Sequence, residues 1–135
     1  MARRRVLEVP GVTHDAPIPM GVRLGQLIVS SGIAGKDPST GELPADPARQ
    51  TELMFRNVRT LLEAGEAGIG DIARMTVYVK DIAYREHVNR EWLKMFPDEH
   101  DRPARHTLVY DLRGGMLVQC ELVAMVDAER EGDPR

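Results

Sequence analysis

Between residues 46 and 65 the apolar side chains Leu53, Met54, Val58, Leu61 and Leu62 recur at the spacing that gathers them on one face of a helix. Asp46 stands where an N-cap is needed, and Pro47 fills the first helical position, where a missing N–H costs nothing. Gly65 or Gly68 supplies the stop. The period then changes. Over residues 72–80, Met75, Val77 and Val79 alternate with Arg74, Thr76, Tyr78 and Lys80, which predicts a half-buried strand. Helical spacing returns over 83–96 with Tyr84, Val88, Trp92 and Met95 or Phe96, and Pro97 ends it. Residues 105–112 and 117–126 read as strands on either side of a Gly114-Gly115 turn. At the other end, the pattern predicts a short strand over 4–9 and an extended, proline-bearing loop to residue 19. A hairpin turn at Leu24-Gly25-Gln26 and an apolar strand over 26–31, ending at Gly32, follow. Asp37-Pro38-Ser39-Thr40-Gly41 is a turn cluster.

The order β-β, α, β, α, β-β predicts an α+β domain, one mixed and mostly antiparallel sheet with two helices on one face. The opposite face must meet water or partner chains, so an oligomer built on the sheet follows naturally. The reading assigns residues 1–127 to a single domain and 128–135, charged and bearing Gly and Pro, to a disordered tail.

Composition adds constraints. The 135 residues are 42% hydrophobic and 29% charged, an ordinary globular balance, and the formal charge of −3 gives no basis for a nucleic-acid surface. Arg3-Arg4-Arg5 is the one basic run and reads as a solvated terminus. Cys120 is the only cysteine, so no intrachain disulfide can form. There is no run long enough for a membrane span and no apolar segment after the N-terminal arginines, so the expected location is the cytoplasm. No metal spacing, phosphate loop or repeat is present, and no cofactor is expected.

Three positions can carry chemistry. On the last strand, Gln119 and Glu121 share a face with Leu117, Val123 and Met125. Either that face is exposed, or the two polar groups line a cleft, because burying them unpaired is costly. Arg105 opens its strand after Pro103-Ala104 and shares a face with Thr107. Its planar fork suits a carboxylate, although a strand-edge arginine also serves as a surface ion-pair member. Cys120 lies on the apolar face of its strand and reads as a core residue, not a nucleophile. His14, His87, His100 and His106 show no ligand spacing, and His106 falls on the opposite strand face from Arg105.

Several segments together resemble the RidA (YjgF-type) family of reactive-intermediate imine/enamine deaminases. They are Val29-Ser30-Ser31-Gly32 with Asp37-Pro38-x-Thr40-Gly41, Gln50-Thr51 with Asn57-Val58, and the strand Asp71–Tyr78. Val88-Asn89 with Trp92 and Phe96, Pro103-Ala104-Arg105, and Glu121-Leu122-Val123-Ala124 complete the set. The resemblance spans residues 21–126. It implies a chorismate-mutase-like fold, a homotrimer with clefts between subunits, and hydrolysis of 2-aminoacrylate-type enamines and their imines to 2-keto acids and ammonia. It also implies that Arg105 holds the substrate carboxylate. Ser31 and Gly32 would form a wall of the cleft, with Asn89 contributing from across the interface, and no cofactor or metal would take part.

Three positions depart from the family pattern. The glutamate that handles water in the deaminases is Gln119 here. A neutral amide orients water but cannot take its proton. Glu121 lies on the same strand face, about 6.6–6.8 Å along. The pocket tyrosine is replaced by Ile18, and the residue two after the arginine, often cysteine, is Thr107. Two functions therefore compete: an imine/enamine deaminase using Arg105 with Gln119 or Glu121, and a non-catalytic trimer that binds small carboxylates or keto acids. Ribonuclease activity, claimed for some relatives, is disfavoured by the negative charge and the scarcity of aromatic residues.

Overall fold

A computed structural model describes residues 2–127; the tail expected at 128–135 lies outside the described residues. The chain forms β1 (Arg5–Leu7), β2 (Gly21–Leu24), β3 (Leu27–Ser30), β4 (Ile33–Ala34), α1 (Pro47–Ala64), β5 (Ile72–Val79), α2 (Arg85–Met95), β6 (Ala104–Val109) and β7 (Val118–Met125). The strands make one sheet in the order β1-β2-β3-β7-β5-β6, with β4 also paired to β7. Every pairing is antiparallel except β5 with β6, which the crossover through α2 makes parallel. This is the expected α+β architecture.

Alternation decides the two faces. Val118, Cys120, Leu122 and Ala124 of β7 and Met75, Val77 and Val79 of β5 are buried in one core cluster with Leu61, Leu62, Val88 and Trp92 from the helices. Among the described residues no helix covers the other face of the sheet. There Val6, Val22, Val29 and Val123 stand side by side across four strands, and Val123 is still 37% exposed. Leu24, Leu27 and Met125 make a second apolar row beside them.

Helix α1 begins as its sequence predicts, with the Asp46 carboxylate accepting the Ala48 N–H and Pro47 at the first position. It ends at Gly65, although φ there is −91° and the left-handed residue is Glu66. The glycine is needed for space instead: a Cβ at 65 would sit 2.8 Å from Ile28 Cδ1 and 3.1 Å from Leu7 Cδ1. The last turn carries no basic side chain, and the strands supply the charge that the helix terminus favours. Arg5 donates to the Ala64 carbonyl and Arg23 to the Gly65 carbonyl.

Two buried polar residues of α1 hold the loops at one end of the sheet. Gln50 donates to the carbonyls of Pro44 (2.7 Å) and Gly115 (2.9 Å) and accepts the Leu117 N–H (2.9 Å). Asn57 donates to the carbonyls of Ala34 and Lys36, both at 3.0 Å.

Some boundaries differ from the sequence reading. The apolar strand stops at Ser30, whose hydroxyl accepts the Leu122 N–H where the ladder breaks. The chain then rejoins β7 as β4, a two-residue strand too short to leave a periodic signal. The second helix starts at Arg85, after a 3₁₀ turn at Ile82–Tyr84 in which the Asp81 carboxylate accepts the Ala83 N–H. The strand expected to reach residue 112 ends at Val109, level with the end of β5.

Candidate functional site

Arg105 sits near the start of β6, an edge strand. Its neighbour in register is Met75, so it points to the helix-covered face, where α2 crosses above it. Arg105 Nη2 donates to Asn89 Oδ1 at 2.7 Å, and the guanidinium carbon lies 4.9 Å from the centre of the Trp92 ring. Asn89 and Trp92 are three residues apart on one helix face, which brings both to the same guanidinium. Among the described residues no carboxylate pairs with Arg105. Burial, and secondarily the charge of Arg85, pull the guanidinium below its ordinary value, yet an arginine keeps its proton. Two residues along the same face, Thr107 Oγ1 is buried without a hydrogen-bond partner. The result is a half-buried cation, fixed by an amide and an indole, with no anion of its own.

The structure pairs Asn89 with Arg105 inside one chain, apart from Gly32, which packs against Gln119. The parallel β5–α2–β6 crossover dictates this, because it lays α2 directly over β6.

Gln119 and Glu121 lie on the other face of the sheet. In register they neighbour Tyr78 and Thr76, which alternate away from the core. Glu121 Oε1 accepts the Tyr78 hydroxyl at 2.8 Å, and this hydrogen bond, with burial second, raises the tyrosine above its usual value. Glu121 is thus engaged by a phenol. Gln119 lines a separate cleft of about 210 Å³ with Gly32, Met20, Ala34 and Met116. Gly32 makes room for the amide: a Cβ there would stand 2.5 Å from Gln119 Nε2. Ser31 adjoins this wall and donates its N–H to the Met20 carbonyl, whereas Ile18 is 49% exposed and lies apart from the cleft.

The residues singled out in the sequence therefore form two half-sites in one chain. Arg105, Asn89 and Thr107 lie at the β6–α2 edge, and Gly32 and Gln119 lie in the cleft, with Glu121 on the same face of β7 as Gln119. The sheet separates the two halves. Trp92 was legible only as a core position. Tyr78 could have been found from its alternation with Val77 and Val79. His14, Lys36 and Arg113, which also line the cleft, come from loops and carry no periodic signal. Among the described residues no three His, Cys, Asp or Glu side chains gather as a metal site, and no helix is long and apolar enough to cross a membrane.

The chain is thus a small α+β domain with an edge-strand arginine over an indole on one face of its sheet and a separate cleft on the other. Comparison with known proteins gives the family. The family model described as endoribonuclease L-PSP matches residues 15–126. The 2-iminobutanoate/2-iminopropanoate deaminase of Escherichia coli K12 is 35% identical over 111 residues, covering 81% of this chain and 87% of that protein. The crystal structure of the E. coli YjgF gene product superposes with a TM-score of 0.80 at 32% identity, covering 90% of this chain and 98% of that one. E. coli TdcF with bound serine gives 0.81 at 28% identity, covering 91% and 99%. The chain belongs to the RidA (YjgF-type) family.

Proposed function

We propose that this chain hydrolyses small 2-imino acids and their enamine tautomers to 2-keto acids and ammonia, with the substrate carboxylate held by Arg105. The observation that carries this reading is the half-buried guanidinium, held by Asn89 and Trp92 and with no anionic partner among the described residues. Its fork would take the carboxylate in two parallel hydrogen bonds. The imine carbon then lies within reach of water. The water oxygen bonds to that carbon as the C=N electron pair moves to nitrogen. Both water protons pass in turn from oxygen to nitrogen, and the C–N bond breaks as the C=O bond forms, releasing ammonia and leaving the keto acid. Gln119, a neutral amide, orients the water without taking its proton, and positioning supplies the rate enhancement.

Arg105 and Gln119 are on opposite faces of one sheet, so a working site requires two copies. We assign the missing half to a neighbouring subunit of a homotrimer, whose contacts would use the apolar rows of the open face. The relatives support the chemistry, since one is named an imine deaminase and another holds an amino acid. The cleft is smaller than the roughly 300–1,000 Å³ of drug-sized pockets, which favours a small acid over a nucleotide.

The test is ammonia release from enzymatically generated imines of alanine and 2-aminobutyrate. Wild type should accelerate release saturably, and Arg105→Ala should lose at least a hundredfold in kcat/KM, the scale of a charge-assisted bidentate contact. Equal rates for the two proteins would refute the assignment. Gln119 also favours a second reading, a binding trimer without turnover. In that case keto acids titrate saturably while wild type leaves imine lifetimes unchanged.

A further inference from the structure

The cleft around Gln119 is rich in donors and short of acceptors. Lys36 and Arg113 both line it, and Asp15 is the one acidic residue among those that do. Among the described residues, Lys36 Nζ is held by the Thr13 carbonyl at 3.1 Å and by no carboxylate, so its partner is neutral. Arg113 meets Asp111 at 3.7 Å, but both side chains are largely exposed, and such a pair is weak. The amide of Gln119 donates to the Met116 thioether at 3.7 Å, a poor acceptor it can readily exchange for a better one. His14 adds an Nε2 that is buried without a hydrogen-bond partner. A glutamate at 119 would place a negative charge among these groups; the glutamine places a donor there instead.

We propose that this cleft receives a carboxylate, so that the protein prefers a dicarboxylic ligand, one acid group on Arg105 of a neighbouring copy and the second on Lys36 and Arg113. The corresponding substrates are the 2-imino derivatives of four- and five-carbon dicarboxylic acids. The distal carboxylate is bound but not altered. This inference rests on the reading above for the chemistry, but its electrostatic core stands on the cleft alone. Asn57 holds the Lys36 backbone and Gln50 holds the Gly115 backbone, so both cationic loops are fixed before a ligand arrives. That preorganisation lowers the ordering cost of binding.

The experiment is calorimetric titration of the full chain with succinate and with butanoate, which differ by one carboxylate. Succinate should bind about tenfold more tightly, the scale of one additional charge-assisted contact. The Lys36→Ala/Arg113→Ala double variant should bring the ratio to about one. Arg4→Ala, which removes an exposed charge at the start of the chain, should keep it. Equal affinity in wild type, no saturable succinate binding, or a ratio unmoved by the double variant would each overturn the proposal. Imine hydrolysis is scored separately. Succinate preference without turnover would refute the catalytic reading and keep this one, and turnover of monoacid imines without the preference would do the reverse.

Discussion

Replacing Gln50 with leucine should destabilise the protein by about 3 kcal/mol, the middle of the range set by three hydrogen bonds of net worth ~0.5–1.5 kcal/mol each. The side chain is 1% exposed and bridges three backbone groups, those of Pro44, Gly115 and Leu117. Leucine has similar volume, so the cavity contribution is small, and the loss comes from one N–H and two carbonyls left dry. With roughly 2.1 cal/mol/K of unfolding entropy per residue over 135 residues, that loss lowers Tm by about 10 °C. The assay is urea unfolding followed through Trp92, the single tryptophan, at one fixed protomer concentration because association adds to apparent stability. The midpoint should fall with little change in slope. A loss below about 1 kcal/mol would show that these bonds are readily replaced by water and refute the reasoning. Because Gln50 fixes the loop that ends at Met116, succinate affinity should fall with stability.

Three further outcomes are expected. Gly32→Ala should fold normally, because the added methyl meets only the movable end of Gln119. It should nevertheless reduce turnover by displacing that amide, a split that paired melting and kinetic measurements detect. Cys120 is fully buried, and burial with the nearby Glu121 charge pushes its thiol far up. A disulfide reagent should therefore react at the rate of global opening, and rapid native-state labelling would contradict the placement. Tyr78 is raised by its bond to Glu121, so between its usual value near 10 and its folded value the native state holds the extra proton, and stability falls as pH rises. In stability profiles measured from pH 8 upward, Tyr78→Phe should show a shallower decline.

Elements with several turns of clear periodicity were legible in the sequence: α1, α2, β5 and β7 stand where apolar spacing puts them. What escaped was set by contacts distant in sequence. β4 exists because Gln119 and Cys120 offer it an edge, and nothing in Ile33-Ala34 alone announces a strand. The Arg105 half-site was legible as Pro-Ala-Arg, but its pairing with Asn89 depends on the crossover, which a linear pattern does not display. His14, Lys36 and Arg113 reach the cleft from three loops, where no period operates.

For the proposed trimer, the sheet between Arg105 and Gln119 has a genetic consequence. A lesion in the anchor and a lesion in the cleft, carried on different polypeptides, need never fall in the same pocket. Two variants each inactive alone, Arg105→Ala and Gly32→Trp, would on random reassembly restore about a quarter of the pockets intact. Both lesions on one chain, mixed with nothing else, would restore none.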